Sequence, residues 1–262
     1  MTVQTPLSVQ TATRTDYANL IPFRRAVEVR LERPGFAVAE VEDDHHHFHV
    51  EVEAEHGRIS RVQARAIRRP WSLCALAAGE LDKLVGAEIS IDPTAMMAVA
   101  NSRHQCTHMF DLAGEAQAAL ARGGPALRRY DMQVQRLEDN LWRAELRRED
   151  GFRLHWLATL EALTAPDELS GRSVKAPFTA WAREYFSEDV FPAAVALRRA
   201  LFVGKFRHVY DLDARESAGD MSRNIGGCFV LQPERAYTAL RMKGSTRSFP
   251  DGLPDPLFRP PA

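Results

Sequence analysis

Four of the nine histidines fall within five residues, in the run Asp43-Asp44-His45-His46-His47-Phe48-His49-Val50. A second polar group, Arg103-His104-Gln105-Cys106-Thr107-His108, stands at the start of a stretch with helical periodicity. Imidazoles titrate near neutral pH, so either group suits proton transfer. His104 and His108 are four apart and share a face if both are helical. Imidazoles so spaced can hold a divalent transition metal, with His45 and His47 supplying further nitrogens from an extended segment. No glutamate completes a zinc-protease helix motif. The plain alternative is a polar face whose histidines bond to carboxylates and water.

Cys106 lies about 200° around such a helix from each flanking histidine. If the helix begins instead at Thr107, residues 104, 106 and 108 become a cluster at its N-terminus, where backbone N–H groups favour a thiolate or an oxyanion. A buried, inert thiol is the simpler reading of Cys106, and packing explains Cys74 among Leu73, Ala75 and Leu76. Asp44, with Asp43 beside it, is placed to orient an imidazole and fix its tautomer, although a turn residue would look the same. The catalytic candidates are therefore Asp44, His46, His47, Arg103, Cys106 and His108, and the metal candidates are His45, His47, His104 and His108. Arg61, Arg65, Arg68 and Arg69 would meet an anion, but Glu51, Glu53 and Glu55 explain them as a charge-laced solvent face. Lys243 to Arg247 lacks the glycines of a phosphate-binding loop.

The elements that must position these groups follow from periodicity. Val27, Val29 and Leu31 alternate with charged residues, Phe36 to Glu42 alternates again, and Phe48, Val50 and Val52 share one strand face with His45, His47 and His49 on the other. Ile59 to Ile67 returns after the His56-Gly57 turn. A helix is expected from Trp71 to about Leu84, and a second from about Gln105 to Arg122, ended by Gly123-Gly124-Pro125. Tyr130–Leu137, Leu141–Arg148 and Phe152–Leu160 read as a meander, which either joins the first strands or forms its own sheet. A third helical region spans Ala180 to Leu201, split at Pro192. The chain turns mixed after Gly204, and a final helix is expected over Pro233–Met242. The fold class is α+β: antiparallel sheets with packed helices, in one or two similar β-meander halves. Residues 1–20 read as a flexible arm, 21–248 as a single compact unit (or halves 21–124 and 125–248), and 249–262 as a proline-rich tail.

A chain of 262 residues, 45% apolar, buries a core without disulfides, and its three cysteines are too few and too scattered for a disulfide scaffold. A net charge of −1 argues against a nucleic-acid partner. No signal peptide and no run of about 18 apolar residues is visible, which places the protein in the cytoplasm, off the membrane.

The acidic-His-His-Phe stretch at 43–48, Arg69-Pro70-Trp71 followed by Cys74, Leu84-Val85-Gly86, Cys106-Thr107-His108-Met109 and Gly227-Cys228 together resemble a bacterial family catalogued as domain of unknown function 2889. The resemblance spans residues 20 to 248. It implies a soluble protein of small-molecule metabolism, with some members tied to aromatic compounds. It adds weight to His46, His47, Cys106 and His108, and a little to Cys74 and Cys228. It carries no mechanism. The expected function is an enzyme, a lyase or hydrolase acting on an aromatic or related organic molecule by histidine acid/base chemistry. Asp44 would orient His46 or His47, and Arg103 or His108 would stabilise oxygen-centred charge. The expected cofactor is none or a divalent transition metal, and the partner a small-molecule substrate, with homo-oligomerisation left open. A metal-binding protein without turnover and a non-catalytic small-molecule binder are the alternatives.

Overall fold

In a computed structural model, which describes residues 21–138 and 140–257, all the strand runs meet in one antiparallel sheet of eight strands. β1 (Phe23–Arg33), β2 (Phe36–Asp43), β3 (His47–Glu55) and β4 (Arg58–Arg68) form one meander. β5 (Leu127–Glu138), β6 (Leu141–Arg148), β7 (Arg153–Ala158) and β8 (Leu163–Ala165) form the other. The order is β4-β3-β2-β1-β5-β6-β7-β8, so the two halves are joined through the β1–β5 pair.

Alternation divides the sheet into two chemically different faces. Val27, Val41, Phe48, Val50, Tyr130, Met132, Val134, Trp142 and Trp156 are buried on one face. The helices α1 (Thr107–Arg122) and α3 (Phe191–Val209) lie over it, α1 against β2 and β3 and α3 against β5 and β6. The opposite face carries Glu28, Glu40, Glu42, His47, His49, Arg129 and Asp131.

Several boundaries differ from the expectations. The stretch after Trp71 is a 3₁₀ run, Ser72–Leu84, with no side-chain cap and no acid in its first turn. α1 starts at Thr107, because Gln105 is held extended: its carbonyl accepts the Phe229 N–H at 2.9 Å, and its side chain donates to the Glu80 carbonyl. Gly123, at φ 72°, ends α1 in the left-handed conformation that suits glycine. The break in the third helical region falls before Pro192, between α2 (Phe178–Tyr185) and α3. Pro192 occupies the first turn of α3, where its missing N–H costs nothing.

α3 also runs past Gly204 to Val209. A Cβ at 204 would lie 2.8 Å from the Val134 Cβ, so this glycine allows the helix to sit directly on β5 rather than ending it. The final helix is only Pro233–Ala236. The chain beyond it is drawn across to pair Arg241 with Trp71 and Leu240 with Ser217. The expected arm at 1–20 lies outside the described residues, as does the tail after Leu257. Residues 250–257 have no regular element but are anchored, with Leu257 donating its N–H to Glu28 at 3.1 Å. Among the described residues no helix is long and apolar enough to cross a membrane.

Candidate functional site

β2 ends and β3 begins around a tight turn built on one carboxylate. Asp43 Oδ1 accepts the backbone N–H groups of His45 and His46, both at 2.8 Å, and the Asp43 N–H donates to the His46 carbonyl at 2.8 Å. This is the local geometry that aspartate favours in turns. Arg68 braces the same turn by donating to the carbonyls of Asp43, Asp44 and His46. On the helix-covered face, Arg25 of β1 stands opposite Asp43 in register and donates to its Oδ2 at 2.5 Å, both side chains being buried. Burial opposes the ionisation of Asp43, but the charge and hydrogen bond of His46, with Arg25, outweigh it and hold the carboxyl well below its ordinary value.

An ionised carboxylate can only accept, so His46 donates from Nδ1 to Asp43 Oδ1 at 2.9 Å. In the neutral ring that bond leaves the lone pair on Nε2, and in the imidazolium it pairs the charge with Asp43. His46 stacks on His108, from the first turn of α1, with ring centroids 3.9 Å apart and planes at 29°, and Phe48 packs beside both. Burial, then His46 and Arg25, push the pKa of His108 well down, so its ring is neutral. His45 is 97% buried (3% exposed), and neither of its ring nitrogens has a partner. Burial lowers its pKa to about 3.

These rings open on a cavity of about 540 Å³. Its apolar walls include Phe48, Trp71, Phe202, Phe206 and Phe229. Arg103, Arg198, Arg199 and Arg223 also line it, and no described carboxylate does. Arg199 is paired with Asp111 at 2.5 Å. All three cysteines reach this wall as free thiols. Burial pushes Cys106 up to about 12, and Cys74 and Cys228 upward too, so all three stay protonated at neutral pH.

The run 45–49 and the start of α1 thus meet as expected, through His46 and His108, but several candidates do not join them. Asp44 orients no imidazole. Its carboxylate is buried against Arg207 Nε at 2.5 Å, and the orienting role falls to Asp43, whose side chain points back into the turn. His47 begins β3 and faces the opposite side of the sheet, donating to Glu40 at 2.9 Å, so strand parity removes it from the cavity. His104 is exposed in a 3₁₀ turn and does not line the cavity, because the helix that would have set it beside His108 starts three residues later. The expected four-nitrogen set of His45, His47, His104 and His108 therefore does not converge. Arg103 stands exposed at the rim, and Cys106 lines the wall as the residue that caps α1.

Arg25, Arg198 and Arg223 were not anticipated. For Arg25 a signal existed: it shares strand parity with Phe23, Val27 and Val29, so it is a lone charge on an apolar face. Arg198 and Arg223 enter through long-range packing that no local pattern announces.

The fold and site define an α+β protein with a histidine-centred, arginine-lined cavity. Residues 27–122 match the family described as Protein of unknown function (DUF2889). The match contains Arg25's partner Asp43, with His46, Cys106 and His108, while the Gly227-Cys228 element falls outside it. No curated protein and no solved structure matches the chain.

Proposed function

We propose that the protein is an enzyme of small-molecule chemistry, a lyase or hydrolase acting on an aromatic or related organic substrate, with His46 as the group that moves protons. One observation carries this reading: Asp43, ionised and fully occupied by donors, fixes the His46 tautomer with Nε2 free to face the cavity. In a hydrolysis, Nε2 takes a proton from water as its oxygen bonds to the acyl carbon, then returns that proton to the leaving group. In a lyase reaction, it takes the proton from the substrate group whose electrons expel the leaving fragment. Asp43 stabilises the imidazolium in both cases, and the arginines together with the N-terminus of α1 favour negative charge developing on oxygen.

A metal site is the second reading, because ligand atoms of Asp43, His46 and His108 lie within 4.8 Å of one another. The donor set fits poorly. Asp43 Oδ1 already accepts three N–H groups and Oδ2 accepts Arg25, so an ion there would either have to displace the buried Arg25 cation to reach Asp43 or be left with two imidazoles, short of the three protein ligands usual in catalytic zinc sites.

The test is incubation with a panel of aromatic esters, amides, hydroxy acids and unsaturated acids, followed by mass spectrometry, with and without a chelator. We expect turnover of at least one class that survives chelation and is lost in His46→Gln. Turnover unaffected by His46→Gln, or none across the panel, would overturn the reading. Turnover abolished by chelation and restored by one divalent metal would favour the second.

A further inference from the structure

The cavity contains charge and hydrogen-bonding capacity that proton transfer at His46 does not use. Arg198 is half-buried in its wall. Its Nε donates to the Val174 carbonyl at 2.7 Å, and its guanidinium lies over Phe178 and Phe202, with no ion-pair partner among the described residues. Burial and the neighbouring Arg199 lower its pKa to about 10. Arg103 and Arg223 at the rim also lack a described carboxylate partner. General basicity does not explain this cluster, since the whole chain has a net charge of −1. A desolvated cation without a counter-ion is costly unless a ligand supplies one. His45, buried with both ring nitrogens unpartnered, points to a second feature of the ligand. As a neutral imidazole it offers one donor and one acceptor, which matches a hydroxyl or carbonyl better than an anion.

We infer that the cavity binds a small aromatic oxyanion, with its carboxylate or phosphate held among Arg103, Arg198 and Arg223 and a hydroxyl or carbonyl group read by His45. This rests on the proposal that the His46 cavity is the substrate site, and it names the substrate class. The aromatic body lies against Trp71, Phe202, Phe206 and Phe229. Arg199, neutralised by Asp111, helps to position the wall and leaves the anion to the other three.

Binding is measured by titration calorimetry on full-length His46→Gln protein, so that turnover does not enter. The probes are 3-(4-hydroxyphenyl)propanoate, 3-phenylpropanoate, 4-propylphenol and 4-hydroxybenzyl phosphate. We expect the hydroxy acid or the hydroxy phosphate to bind, and the tighter of the two identifies the anion. Loss of the anion or of the hydroxyl should each weaken binding by about tenfold or more, since each leaves buried groups unpaired. Affinity for the anions should fall with added salt and by about tenfold in Arg223→Gln, an exposed site that tolerates substitution, while 4-propylphenol is unaffected there.

Equal binding of the phenol and the acid, equal binding of the acids with and without hydroxyl, or no binding of any probe at millimolar concentration overturns the inference. Tight binding of these probes, together with a wild-type protein that turns nothing over, sinks the proposed enzyme activity and leaves this inference standing. Turnover confined to neutral substrates does the reverse.

Discussion

Two pairs of histidines stand side by side in sequence and on opposite sides of the sheet. His47 and His49, on β3, donate to Glu40 and Glu51, each at 2.9 Å, on the face away from α1 and α3. Burial opposes the ionisation of Glu40, yet hydrogen bonds from His47 and His49 hold it down to about 2. His45 and His46, one step earlier in the turn, meet a single carboxylate between them, and only His46 bonds to it through its ring. Partner supply separates the two pairs. Where every imidazole has its own acid, the pair ties strands together. Where acids run short beside a cavity, one imidazole is oriented with a free lone pair and the other is left for a ligand.

Exchanging His46 and His47 in turn gives the largest contrast. His46→Gln should lower turnover by about 10²–10⁴-fold, the usual contribution of a positioned acid/base group. His47→Gln should leave turnover within about threefold, because its ring never reaches the cavity. Steady-state rates on any substrate found for the wild type make the comparison, and equal losses in the two variants would end it.

Asp43 should matter to stability as well as to rate. Asp43→Asn keeps the shape of the turn but leaves the buried Arg25 cation without its counter-charge, which costs about 3–5 kcal/mol. Asp43→Asn with Arg25→Met should recover most of that in urea denaturation and none of the activity. If the single variant is as stable as wild type, the pair is not what holds the turn.

Acidity should act on the inner pair more than the outer. His45, at about 3 when folded, binds fewer protons than in the unfolded chain between about pH 6.5 and 3. Its contribution is fully present above about pH 6.5 and is lost as the pH falls through that window. Glu115, buried in α1, has the opposite sign: burial raises it to about 8, so stability is lost as pH rises from about 4.5 through 8. The two contributions offset each other between about pH 4.5 and 6.5, so stability measured by denaturant from pH 3 to 9 should be flat there and fall on either side. His45→Gln should flatten the acid limb and Glu115→Gln the alkaline limb. Unchanged slopes in the variants would show that other groups set the profile.

How far the sequence foretells this site depends on the kind of contact. Alternation at Val27–Leu31, Phe48–Val52 and Tyr130–Val134 is a local property imposed by which face is buried, and it carries over directly into strands. The meeting of the 45–49 run with the start of α1 was legible as a juxtaposition of two polar groups. The choice between Asp43 and Asp44 was not. Both flank the histidines, and only the turn, closed by the N–H groups of residues 45 and 46 on one carboxylate, selects the first. Alternation puts His47 on the correct strand face, with His49 and opposite Phe48, but the cavity opens on the other, helix-covered face, and parity alone does not say which face carries the site. The arginines at 198 and 223 come from segments more than a hundred residues from the 45–49 run, brought in by α3 crossing β5 at Gly204 and by Phe229 pairing with Gln105, so no periodicity within them reveals the cavity.

The smallest expected effect lies at the outer margin of the histidine-bearing face, where charges pair as they do around His47 but in solvent. Arg61 donates to Glu53 at 3.1 Å across β3 and β4, with the arginine side chain 55% exposed. Water and salt screen such a pair, and ordering two flexible side chains offsets much of its attraction. A double-mutant cycle on Arg61→Ala and Glu53→Ala should give a coupling of at most about 1 kcal/mol, shrinking further in 0.5 M salt. The same cycle on the buried Arg25 and Asp43 should give several times that value and little salt dependence. Equal couplings would mean that burial does not distinguish the two faces.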